Sequence, residues 1–111
     1  MSELSTEDAK LVTLARAARS RVNAAQGAAV RDETGRTYAS ANVVLGDVEL
    51  SAVVLSVAQA VASGAKGLEA CVLSADAGYS EADLLAITSV SSGIPAYIIS
   101  LAGDVVDSQT V

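Results

Sequence analysis

The chain has no histidine, no tryptophan and no phenylalanine, and Cys71 is its only cysteine. Each absence closes a branch of chemistry. Without imidazole there is neither a Ser-His-Asp triad nor a Cys-His pair. A zinc site that draws three ligands from Cys and His cannot be assembled from one thiol. A single cysteine forms no intramolecular disulfide, which fits a reducing compartment. Tyr38, Tyr79 and Tyr97 are the only aromatic residues, so stacking on nucleobases has few platforms. Long apolar runs are missing too, and none approaches the roughly 20 residues that span a bilayer. The opening string Met1-Ser2-Glu3-Leu4-Ser5-Thr6-Glu7-Asp8 is acidic and lacks the apolar stretch of a secretory signal. The expectation is a soluble, cytoplasmic protein that makes no membrane contact, with residues 1–111 forming a single domain.

Positive charge is scarce and unevenly placed. Seven Lys and Arg stand against thirteen Asp and Glu, for a net charge of −6. Residues 1–36 carry six basic and five acidic groups, whereas residues 37–111 carry Lys66 against eight acids. The clustered basic surface that phosphate backbones require is absent, and nucleic acid is not an expected partner. What the chain does have is aliphatic bulk. Hydrophobic residues make up 51% of it, enough to fill a core and too many for a disordered chain.

Periodicity assigns the elements. Ser5 with Asp8 is a capping-box signal, and Leu11, Leu14, Ala15, Ala18 and Val22 follow at helical spacing, predicting a helix over about 6–22. Residues 27–31 and 36–43 flank Asp32-Glu33-Thr34-Gly35 and read as a β-hairpin. From about Glu49 to Ser63 the chain is apolar on almost every side and stops at Gly64, which predicts a buried helix. Leu68–Ser74 reads as a strand. Ser80 with Asp83 begins a third helix, which Ser91-Ser92-Gly93 breaks. Pro95–Leu101 reads as a strand, and Val105-Val106-Asp107 as a strand pairing back on it. The order is α-β-β-α-β-α-β-β.

That order and several strings resemble the cytidine deaminase superfamily of small oligomeric zinc hydrolases. The segment Val22–Val30 is similar to the family's first strand. The run Thr34–Val43 is similar to its turn and second strand, ending in an Asn-Val pair. Ala60-Val61-Ala62-Ser63-Gly64 matches the close of its second helix, and the stretch from Ile94-Pro95 to Val105-Val106 resembles its last hairpin. The resemblance implies a three-layer α/β/α fold with a mixed five-stranded sheet, the second and third helices sharing one face. It also implies a chemistry: a bound metal lowers the pKa of a water, and a glutamate shuttles protons to the ring and to the leaving ammonia. The family supplies the first ligand and that glutamate from Cys/His-Ala-Glu at the start of the second helix. The other two ligands come from Pro-Cys-x-x-Cys at the start of the third.

This chain departs from the pattern at each of those positions. Ser51-Ala52-Val53 stands for the first motif and Glu81-Ala82-Asp83-Leu84-Leu85 for the second. Ser51, Ala82 and Leu85 therefore match the ligand positions and Val53 the proton-shuttle position. A homo-oligomer adds no other residue types. Neither a metal nor another cofactor is expected. Asn42 matches a family position near the ribose, and Val44 stands where its acidic partner belongs. Asn42, Val44 and Ser51 are thus the candidates for a remnant ligand pocket.

Three further constellations have plain structural readings beside the chemical ones. Ser63-Gly64-Ala65-Lys66 has the spacing of a serine nucleophile with a lysine base, but a glycine at a helix end reads as a C-cap. Asp47, Glu49, Glu81 and Asp83 precede or open the second and third helices, where they could ligate a hard cation or simply complement helix dipoles. Cys71 reads as a small buried hydrophobe, and the tyrosines as core and rim. Three functions stand side by side. The first is a catalytically inactive deaminase-like protein acting through self-association, as a homodimer or homotetramer packed through the apolar helix, or through a protein partner. The second is a nucleoside- or nucleotide-binding module, and the third a cation-dependent enzyme of another class.

Overall fold

A computed structural model describes residues 4–111. Ten elements follow one another: α1 (Thr6–Arg21), β1 (Gly27–Asp32), β2 (Thr37–Ala41), β3 (Val43–Leu45), β4 (Val48–Leu50), α2 (Ala52–Ala62), β5 (Leu68–Ser74), α3 (Glu81–Thr88), β6 (Pro95–Ile99) and β7 (Val105–Thr110). Five of the strands form one sheet in the order β2-β1-β5-β6-β7. The β5–β6 pair, bridged by α3, is parallel, and the other neighbours are antiparallel. This is the mixed five-stranded sheet expected from the sequence.

Period-two alternation in the central strands builds two cores. Ala29 of β1 with Ala70 and Val72 of β5 face α1, where Leu11 and Ala15 meet them. The alternate residues Ala28, Val30, Cys71 and Leu73 face the other way, against Val53 and Val57 of α2 and Ile87 of α3. One helix therefore covers one face and two cover the other. The α1 layer sits close: a Cβ at Gly27 would run into the Ala15 carbonyl oxygen and come within 2.6 Å of Arg19 Cβ, so only glycine fits there.

The structure corrects the sequence reading at one place. Residues 43–50, taken as the end of β2 and the approach to the second helix, form a separate two-stranded hairpin, with Leu45 opposite Val48 and Val44 opposite Glu49. Gly46, at φ 61°, makes the turn. The element order accordingly contains an extra β-β, and α2 begins at Ala52 rather than near Glu49. The physical reason is the Gly46-Asp47 pair between two short apolar runs, a two-residue hairpin signal that ends the strand and delays the helix.

Candidate functional site

The start of β1, the ends of β2 and β5, and the N-termini of α2 and α3 come together at one end of the strands. Ser51 caps α2, its Oγ accepting a hydrogen bond from Val54 N at 3.0 Å. Ser80 caps α3 in a full capping box: Asp83 N donates to Ser80 Oγ, and Ser80 N donates to Asp83 Oδ2 at 3.0 Å. The two caps are joined. Ser51 Oγ donates to Asp83 Oδ1 at 2.5 Å, and Asp83 is 1% exposed. Gln26 extends the network on the other side, its Oε1 accepting from Ala52 N at 3.1 Å and its backbone N donating to Asn42 Oδ1 at 2.9 Å. Both carboxylate oxygens of Asp83 and the hydroxyl of Ser51 are thus engaged within the protein. Hydrogen bonds between a hydroxyl and a carboxyl group at this separation rank among the stronger ones.

The residues singled out from the sequence are distributed unequally around this cluster. Ser51 is in it. Val53 is fully buried and packs in the core beneath α2. Ala82 and Leu85 lie on the exposed side of α3, Leu85 at 63% exposure, and neither faces Ser51. The residue of α3 that does is Asp83, with Ser80 three positions before it. The reason is helical phase: from N-cap to N3 the chain makes about one turn and returns to the same side, whereas positions 82 and 85 are turned away. The two helix starts are joined through Asp83 rather than through positions 82 and 85.

Asn42 reaches the cluster through Gln26. The cavity it lines, about 240 Å³, is bounded by Ala18, Arg21 and Val22 of the α1 layer and by β2. Val44 stands on the β3–β4 hairpin at 59% exposure. Neither Val44 nor Ser51 lines the cavity that Asn42 does. The acidic cation site is not assembled either: Asp47 and Glu49 are exposed on the hairpin, and no group of three or more His, Cys, Asp or Glu residues able to hold a metal ion occurs among the described residues. Ser63 is the C-cap of α2 and Lys66 is exposed, its backbone N donating to Glu33 Oε2 at 2.9 Å. They form a helix end, not a catalytic pair.

Cys71 is fully buried in β5, and that burial pushes its thiol up to about 12, so it is neither a nucleophile nor a ligand near neutral pH. Tyr79 crosses above it, donating to Tyr97 O at 2.8 Å, and burial likewise raises its phenol well above the ordinary range. Sequence reasoning missed Gln26 and the pairing of Ser51 with Asp83. The capping-box spacing of Ser80 and Asp83 was the available signal for one half of that contact.

Comparison with known proteins falls on one group. A family described as cytidine deaminase-like matches residues 4–103. The fold resembles a cytidine deaminase from Burkholderia pseudomallei with a TM-score of 0.82 at 17% identity, over 96% of this chain and 93% of that one. It also resembles a cytidine deaminase from Mycobacterium leprae, with a TM-score of 0.68 at 20% identity over 96% and 94% of the two chains. No curated protein matches. At such identities the structural likeness establishes the fold, and the functional residues must be judged on their own chemistry.

Proposed function

The chain belongs to the cytidine deaminase-like family, and on that premise we propose that it has given up metal-dependent deamination and acts by association, with copies of itself or with a protein partner. The observation that carries this reading is the closed contact between the α2 and α3 caps. Where the family needs three metal ligands and a glutamate, this chain has Ser51, Ala82, Leu85 and the buried Val53 at the matching positions, and the polar groups its two helix starts bring together are the hydroxyls of Ser51 and Ser80 and the carboxylate of Asp83. The aspartate already accepts hydrogen bonds on both oxygens. That donor set does not fit zinc, which favours thiolate and imidazole in such sites and would here compete with the Ser51–Asp83 bond.

Association draws its support from the hairpin and the helices beside it. Val44, Leu45 and Val48 of β3–β4, Val61 of α2 and Leu85 of α3 are all more than half exposed. An isolated two-stranded hairpin is marginal in water, and β3–β4 packs mainly on itself, so a covering surface would stabilise it. The nucleoside-binding alternative draws less support, because Asn42 Oδ1 already accepts from Gln26 N and Val44 is an exposed apolar side chain.

The test joins two measurements on the purified chain. Sedimentation velocity over a micromolar range is expected to give a dimer or tetramer that the Val44→Asp, Leu45→Asp double variant dissociates. A cytidine deamination assay with added zinc is expected to give no turnover. Zinc-dependent turnover, or a strictly monomeric chain that captures no protein partner of defined stoichiometry, overturns the reading.

A further inference from the structure

A second region near the same strand ends, on the α1 face, has no part in the Ser51–Asp83 cluster. Here a cavity of about 570 Å³ is lined by Arg16, Arg19, Ser20, Asn23, Ala24 and Leu101, with no acidic residue in its wall. The location is unusual for this chain, which carries a net charge of −6 and keeps only seven basic residues. Three of them, Arg16, Arg19 and Arg21, fall in the last two turns of α1. Together they outweigh the roughly half-unit negative pole of a helix C-terminus.

The two arginines of the wall are held in different ways. Arg19 is a built-in part of the fold. Its Nε donates to Ala24 O at 3.1 Å and one terminal nitrogen to Ser74 Oγ at 3.2 Å. The other terminal nitrogen lies 3.9 Å from the carboxylate of Asp76, which is 99% exposed, a pairing worth little in water. Arg16 is anchored by one bond only, from Nε to Leu101 O at 3.2 Å. Its guanidinium lies over Gly103, whose φ of 97° and missing Cβ make room for it: a Cβ there would come within 3.1 Å of Arg16 Cδ. The terminal nitrogens of Arg16 have no hydrogen-bond or ion-pair partner among the described residues. The backbone thus fixes the stem of the guanidinium and leaves its fork free.

We propose that this cavity is a binding site for a small phosphate monoester. The fork of Arg16 would take two phosphate oxygens, with Ser20 and the carboxamide of Asn23 as further donors and Arg19 as a fixed second charge. A planar guanidinium matches a tetrahedral oxyanion in this bidentate way. Phosphate alone leaves most of the volume empty. Leu101 and Ala24 supply an apolar wall for an organic group, and the cavity's size is within the range of small-molecule sites. Duplex or single-stranded nucleic acid is not the occupant, because eight of the thirteen acids lie beyond residue 36 and would repel an extended polyanion. The proposal does not depend on the association reading and can fail without it.

The test is a titration of the full chain with phenyl phosphate and with inorganic phosphate, followed by backbone amide NMR at low and physiological salt. The expected result is saturable shifts confined to residues 16–24 and 101–104, tighter for phenyl phosphate than for inorganic phosphate and weakened by salt. Arg16→Gln should raise Kd tenfold or more, while Arg21→Gln, outside the cavity wall, should leave it within twofold. Ser20→Asp, which puts a carboxylate into the cavity from an exposed position, gives an independent block should Arg16→Gln perturb folding. Shifts that never saturate, that spread equally to Lys10, Arg36 and Lys66, or that survive both Arg16→Gln and Ser20→Asp overturn the proposal.

Discussion

Asp83 and Asp32 are both buried carboxylates, 1% and 2% exposed, the first in the opening turn of α3 and the second at the end of β1. Their partners differ in kind. Asp32 accepts from Thr34 N, Thr34 Oγ1 and Arg36 N on one oxygen and from the Tyr38 hydroxyl on the other, all within six residues of itself. Asp83 takes one bond from its own capping box and the other from Ser51, 32 residues away. The first is a turn that satisfies itself; the second ties two helices together. Burying a carboxylate costs free energy unless donors replace its water, and here the same requirement is met once locally and once across the fold.

The comparison can be tested by removing each side in turn, beginning with the largest expected effect. Asp83→Ala should lower the unfolding free energy by about 2–3 kcal/mol, because it opens the α3 cap and strands Ser51 and the Ser80 amide. Urea unfolding measures this. Ser51→Ala should cost about 1 kcal/mol as a lost N-cap. In the double variant the two losses should sum to less than their separate values, by roughly 1 kcal/mol of coupling. Strict additivity would mean that the Ser51–Asp83 bond contributes nothing in solution.

For Asp32 the expected signature is dependence on pH. Burial pushes its carboxyl up, but the hydrogen bonds from Thr34, Tyr38 and Arg36 outweigh it and bring it from 3.8 down to about 2. A group whose pKa is depressed by folding contributes stability that is full above its unfolded value and is lost as the pH falls through the folded one. Asp32→Asn should therefore unfold more easily than the native chain above about pH 4, with the difference closing towards pH 2. A gap that stays constant with pH would contradict this assignment. The smallest effect is expected from Tyr38→Phe, which removes one of the four donors. It should shift the acid-unfolding midpoint upward by less than Asp32→Asn does, and leave the behaviour of Ser51 and Asp83 variants unchanged.

The same contrast explains what was legible in the sequence. The Asp32–Tyr38 turn, the Ser80–Asp83 capping box and the alternation in β5 lie within a few residues, so their partners can be read from spacing alone. The β3–β4 hairpin carried its signal in Gly46-Asp47 and was overlooked because the apolar residues around it suit a strand end or a helix start equally well. On α3 the residue that meets Ser51 is Asp83, whereas Ala82 and Leu85 are exposed. Spacing along a helix cannot say which side will face a second helix until the packing of Ile87 and Val53 sets the rotation.

The residue inventory by itself determined that no imidazole, and no more than one thiol, is available to any site in this protein. Hydrophobic periodicity determined the helices and the central strands, since those patterns follow from how each element repeats in space. Only the tertiary structure decided that Ser51 would meet Asp83, that Ala82 and Leu85 would face solvent, and that Arg16 and Arg19 would share a cavity with Leu101. Those outcomes depend on crossing angles and on contacts across 32 to 85 residues. They are fixed by the fit of the helices onto a sheet that the local sequence does not encode.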